Sequence, residues 1–296
     1  MTQGLQMHPV RNWLLLAGGP AVVFALIYGL PILQLFRGSL DRFDPITGSI
    51  SAVDPGYYIK FLTDSYYLGV LWRTIRLSLT ITIICAVAGY PLSYFLARST
   101  GRFRQTLIII LLIPLVTSPV VVAYGWLILL GSKGVINDTF IALGLIDEPI
   151  KLIYREMTLT IGLVHVLIPF MVLAIAAPLQ NLDWNLVLAA RSLGAGGTRA
   201  FRHVIFPLSL PGIATGSLIV FSLAMSAYAV PALIAGPQVK VMSELIYEQG
   251  MSLLNWPFAA AMAVILIAVT TGLMAGAGGV SFAKRRREAR LVAGAA

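Results

Sequence analysis

Charge is what this chain has least of. Of its 296 residues, 11% are Asp, Glu, Lys or Arg and 58% are hydrophobic, whereas soluble domains carry about 25% charged residues. That balance excludes an ordinary soluble enzyme. Cysteine is nearly missing: Cys85 stands alone in an apolar run, so neither a disulfide framework nor a Cys-based metal site can form within the chain. The three histidines, His8, His165 and His203, share no metal-ligand spacing such as H-E-x-x-H, and no G-x-x-x-x-G-K-[ST] loop occurs. ATP binding through a P-loop is thereby excluded. Neither of the longer polar stretches, 37–69 and 131–157, offers paired carboxylates or a Ser/His/Asp set, so no catalytic, metal or cofactor site is expected in this chain.

Long apolar sequence is what the chain has in abundance. Crossing about 30 Å of hydrocarbon takes about 20 helical residues, and six runs qualify: 13–36, 70–97, 106–130, 158–178, 211–235 and 257–282. In lipid each backbone group must bond within its own segment, so runs of this length mean helices, and the alternating pattern of a β-barrel is absent. The expected fold is an all-α polytopic membrane protein with six spans and both termini on one side. The first span follows Arg11 and imitates a secretory signal. It is too long for an apolar h-region and no convincing cleavage site follows, so it reads as a retained helix.

Orientation follows from the basic residues. The segments 1–12, 98–105, 179–210 and 283–296 hold twelve of the 21 Lys and Arg and two of the 12 acids. Cytoplasmic loops retain Lys and Arg, so this set is expected to be cytoplasmic. The chain is then an N-terminal segment 1–12, a membrane domain 13–282 interrupted by a cytoplasmic loop 179–210, and a basic tail 283–296. The net charge of +9 becomes a topology signal, and nucleic acid is not an expected partner. The KRRREAR tail reads as a stop-transfer anchor, with contact to anionic membrane lipid as the alternative.

The loop between the fourth and fifth spans has internal order. Residues 184–193 can form a short helix in which Leu186, Ala190 and Leu193 recur at i, i+4 and i+7 beside Ala189. Gly194, Gly196 and Gly197 are suited to end it. Thr198 can cap a second helix with Phe201, Val204 and Ile205 on one face and Arg199 and Arg202 elsewhere. Pro207 and Pro211 are expected to stop that helix and start the fifth span. The product is a helix-turn-helix on the inner membrane face. It is either a docking helix, whose small alanines admit a partner's cleft and whose arginine bonds that partner, or an amphipathic loop resting on lipid.

Residues 188–207 resemble the cytoplasmic loop of type I binding-protein-dependent ABC importer permeases, with its pattern E-A-A, three residues, G, nine residues, I-x-L-P. Ala189 and Ala190 match the alanines, Gly194 the glycine, Val204 the aliphatic position and Pro207 the proline; Leu188 stands where Glu is usual and Phe206 where Leu is usual. The likeness runs from about residue 60 to 282 and is greatest to the spermidine/putrescine subfamily. It is carried by GVINDTFIALGLIDEPI (134–150), IGLVHVLIPFMVLA (161–174), LDWNLVLAARSLGA (182–195) and NWPFAAA (255–261). The resemblance implies a second permease subunit, favouring a heterodimer, a cytoplasmic ATPase homodimer that binds ATP and Mg, and an extracytoplasmic solute-binding protein. It makes Ala189 to Ala195, flanked by Leu188 and Pro207 and including Arg191, Ser192 and Leu193, the coupling element moved by the ATPase. The implied cargo is a polyamine, with an opine, a phosphonate or an iron complex as alternatives and a secondary transporter as the reading from another class.

A permease path should turn polar groups inward. Thr117, Ser118, Tyr124 and Trp126 on the third span, His165 on the fourth, and Ser222, Ser226 and Tyr228 on the fifth are the candidates. The three aromatic residues can hold an amine by cation–π contact, or belong to an interfacial aromatic belt. His165 can serve the path or bond between helices. No Asp or Glu falls deep inside a span, which disfavours an ion-coupled secondary transporter and leaves a dication without a carboxylate in this subunit.

Overall fold

A computed structural model describes residues 19–43, 50–51 and 54–293, with side chains described up to residue 277. The expected segment 1–12, the start of the first span (13–18) and the last residues of the tail (294–296) lie outside the described residues. The fold is helical: α1 (Gly19–Gly38), α2 (Gly56–Thr63), α3 (Ser65–Arg98), α4 (Gly101–Val116), α5 (Pro119–Leu130), α6 (Val135–Ala142), α7 (Glu156–Gln180) and α8 (Asn185–Ser192). Then come α9 (Gly197–Ser226), α10 (Ala229–Ile234), α11 (Met242–Tyr247) and α12 (Trp256–Ala293). The described residues include six helical stretches long and apolar enough to cross a membrane, the third being Pro119–Ala142, which takes in α5 and α6, and the basic tail through residue 293 continues α12.

The chain divides into two compact units, residues 1–64 with 246–265 and residues 65–245 with 266–296. In the first, β1 (Arg42–Phe43) pairs antiparallel with β2 (Ile50–Ser51). There the fully buried Phe258 stacks on Tyr57 at 5.0 Å and takes the Lys60 ammonium over its ring. No residue of α1 is buried, as suits a helix whose apolar side chains meet lipid or another subunit.

In the second unit α7 is the centre, packed against α3 and α9. Leu159, Leu163, Met171, Ile175 and Leu179 fall on its buried face and are at most 4% exposed. The buried stripe of α3 runs through Val70, Thr74, Leu77, Ile81 and Cys85, the 3.6-residue period of one helix face. Hydroxyls on the spans bond back to the carbonyl four residues earlier, as at Thr74, Thr80, Thr160 and Thr215, so they enter the membrane already satisfied.

Two expected spans are corrected. Residues 106–130 do not form one helix: α4 ends at Val116 and α5 starts at Pro119, with Thr117 and Ser118 extended between them. Proline disfavours the helical region for the residue before it, and the Ser118 hydroxyl caps the new helix by accepting the Val120 N–H. The helix that carries the fifth span is not bounded at 211 and 235: it is continuous from Gly197 and ends at Ser226, with Ala227 extended and Tyr228 opening α10. Pro207 and Pro211 therefore lie inside a helix. A π-helical turn at Phe201–Ile205 precedes them, so Pro207 falls in the first turn of the regular helix that follows, where its missing N–H costs little. Membrane helices tolerate the second proline. Thr198 is not the cap; Gly196 takes that place, without a side-chain bond.

Between α5 and α7, the stretch 131–155 carries α6 between turns. The fully buried Asn137 ties this stretch together. Its amide donates to the Gly131 and Ile150 carbonyls and its oxygen accepts the Ile150 N–H.

Candidate functional site

The loop following α7 is built from the residues expected to form it. Asp183 accepts the Asn185 N–H at 3.0 Å and Trp184 is the N-cap residue of α8. At its far end Gly194 has φ +84°, the Gly194 N–H bonds the Arg191 carbonyl and the Ala195 N–H bonds the Ala190 carbonyl. This is a left-handed C-cap, which only glycine adopts without strain. The side of α8 turned to the chain is Val187, with Ala190 half-buried. Leu186, Leu188, Ala189, Arg191, Ser192 and Leu193 are exposed, Leu193 at 89%. The expected apolar face Leu186–Ala190–Leu193 is thus mostly turned away from the protein's own core. The open face is small and apolar at Ala189, with Arg191 at its flank. Ala195 is half-buried in the turn, and Pro207 is exposed on α9.

Below this loop lies a set of residues that the charge tally hid. Tyr90, Tyr94 and Arg98 lie at i, i+4 and i+8 on α3. The Arg98 guanidinium sits 5.0 Å from the Trp184 ring and 5.6 Å from the Tyr94 ring, and its Nη1 donates to the Tyr94 hydroxyl at 2.9 Å. Tyr94 meets Trp184 edge to face at 6.3 Å. Tyr90 meets Phe201 edge to face at 5.7 Å, and its hydroxyl is 3.0 Å from that of the fully buried Ser209. The signal available in the sequence is the aromatic-aromatic-cation spacing, which is masked by the position of Arg98 at the start of a basic loop.

The expected path residues fall mainly into pairs. Thr117 and Ser118 are the break between α4 and α5. On α9, the Ser226 hydroxyl donates to the Ser222 carbonyl at 3.1 Å, one residue before the second break. Tyr228 follows that break and Tyr124 is exposed on α5. Trp126 and His165 are in contact: the indole N–H donates to His165 Nδ1 at 3.1 Å with the rings at 84°. An indole N–H is only a donor, so Nδ1 is the acceptor in this contact and Nε2 is left as the ring's donor. Gly162, one turn earlier on α7, lets Val230 and Ile234 of α10 approach; a methyl group there would stand 3.2 Å from each. Non-helical backbone in a membrane protein persists where it lines a cavity or is buried in protein; at the second break the Ala227 carbonyl accepts from the Ser243 hydroxyl at 2.5 Å and the Tyr228 carbonyl from the Ala232 N–H. Glu156, at the start of α7, is engaged by Arg73 and Arg76.

The comparisons agree with this architecture. Residues 89–285 match the family described as binding-protein-dependent transport system inner membrane component. The chain is 36% identical to the spermidine/putrescine transport system permease protein PotB of Salmonella typhimurium, over 86% of this chain and 90% of that one. It is 32% identical to the inner membrane ABC transporter permease protein YdcU of Escherichia coli, over 88% and 87% respectively. Its fold matches a chain in the crystal structure of a bacterial alginate ABC transporter in complex with an alginate pentasaccharide-bound periplasmic protein, with a TM-score of 0.75 and 18% identity over 92% of this chain and 94% of that one. The chain belongs to the binding-protein-dependent ABC importer permeases: it is a multi-pass inner-membrane transport subunit, itself no enzyme, of a complex with an ATPase and a solute-binding protein.

Proposed function

We propose that this permease imports a polyamine of the spermidine/putrescine class and forms a heterodimer with a second permease. In this reading the solute-binding protein delivers the amine outside, and ATP and Mg bind only to a separate ATPase homodimer on the cytoplasmic side. Both chain termini and residues 179–210 face that side. The observation that carries the substrate is the 36% identity to a spermidine/putrescine permease across 86% of the chain. Residues 188–195, with Pro207 behind them, are the coupling element. Their support is the exposed Ala189–Leu193 face on a helix closed by a left-handed glycine, a short rigid body that a cleft can seize and move. Thr117, Ser118, Tyr124, Trp126, His165, Ser222, Ser226 and Tyr228 line the path around the two helix breaks. There the aromatic rings attract the ammonium groups by cation–π contact.

One observation favours a second reading. His165 accepts from Trp126 through Nδ1, which leaves Nε2 to donate, while Glu156, at the start of the same helix, is paired with Arg73 and Arg76. Donors without carboxylates suit an anionic or carbonyl-bearing cargo such as an opine, a phosphonate or an iron complex. Titrating the cognate solute-binding protein with spermidine and putrescine separates the two. Saturable binding is expected; no binding of either amine, with binding of one of the other solutes, overturns the polyamine reading.

A further inference from the structure

Helix α8 has few anchors. Val187 is its one buried residue, and Trp184, just before it, is held by Arg98 and Tyr94. The arm beyond the turn, at Phe201, is held by Tyr90 one turn back on the same face of α3. A single stripe of α3 thus grips both arms of the loop. A neighbouring face of α3 is fastened to α7: the buried Ser93 hydroxyl lies 2.7 Å from the Gly89 carbonyl and 3.0 Å from that of Val172, and Leu96 packs with Val172 and Ala176. The guanidinium of Arg98, within cation–π distance of both rings and bonded to the Tyr94 hydroxyl, needs no carboxylate to hold it.

We propose that Tyr90, Tyr94 and Arg98 are positioning residues that make α3 move with the coupling helix, Arg98 being the link to Trp184. The ATPase's displacement of α8 then reaches the membrane-spanning bundle through α3 and, by Ser93 and Leu96, through α7. This rests on the coupling reading of residues 188–207.

The test uses the complete transporter in proteoliposomes with spermidine-loaded binding protein, and reads spermidine taken up per ATP hydrolysed. Arg98→Gln is expected to keep ATPase co-purification and lose about tenfold in that ratio, the size of a single coupling interaction. Arg98→Lys, which keeps a cation over the rings, restores most of the loss. Trp184→Leu falls as far as Arg98→Gln, and the double variant falls no further. A wild-type ratio in Arg98→Gln overturns the proposal. So does loss of ATPase co-purification in both Arg98→Gln and Arg98→Lys, which makes Arg98 an assembly residue and no transmitter. The underlying reading fails separately: Ala190→Trp with full assembly and wild-type uptake places coupling elsewhere, whatever Arg98 does.

Discussion

At the scale of single residues, two glycines are required for different reasons. Gly194 holds φ +84° with open space where a Cβ would be, so the obstacle to substitution is backbone strain, on the order of 1–2 kcal/mol. Gly194→Val is expected to leave membrane insertion intact and to weaken ATPase co-purification in a pull-down. Gly212 has the opposite problem. A methyl there would stand 2.6 Å from the Ala174 carbonyl oxygen and 2.9 Å from Ile175 Cα, backbone atoms that cannot step aside. Gly212→Ala should lower the melting temperature of the purified permease, with overpacking costing about 1–3 kcal/mol. Gly216→Ala meets chiefly the end of the Met171 side chain and should lower it less; equal shifts for the two would contradict the packing described. The left-handed need at Gly194 was legible in the sequence, because a glycine cluster after a short amphipathic run has few other uses. Which apolar face of α8 meets its own chain was not. Leu186, Ala190 and Leu193 share a spacing, but spacing cannot say whether that face is turned inward or left for a partner, and Val187 took the inward place.

At the scale of elements, the six spans were readable from apolar length, since lipid enforces helix wherever water is absent. Their interruptions were not all readable. Pro119 does break a helix, yet Pro114, Pro207 and Pro211 sit inside helices, because a proline's cost depends on whether the carbonyl it frees finds another arrangement, such as the π-turn at Phe201–Ile205. Asn137 shows an element held by one side chain. Asn137→Leu keeps the branching and the number of heavy atoms and leaves the Gly131 and Ile150 groups without partners, at about 1–3 kcal/mol for an unsatisfied buried group. Hydrogen exchange across residues 131–150 is expected to speed up while α7 stays protected; unchanged exchange would show that the stretch is held by something other than Asn137.

At the scale of the whole molecule, the charge asymmetry makes an orientation prediction. In a background lacking Cys85, Leu193→Cys should resist a membrane-impermeant maleimide applied to intact cells and Asp147→Cys should react, since their segments are assigned to opposite faces; the reverse pattern would invert the topology. The candidate path was legible as residue types and less so as a place, because the Trp126–His165 contact arises only when α5 and α7 pack. The central claim is that this chain carries solute only when ATP hydrolysis moves its 188–195 helix. The most direct test is spermidine uptake into proteoliposomes containing the permease pair and the ATPase, with binding protein supplied, for wild type and Ala190→Trp. The account predicts uptake that requires ATP and is lost in Ala190→Trp; uptake driven by an ion gradient with this chain alone, or undiminished in an assembled Ala190→Trp transporter, would contradict it.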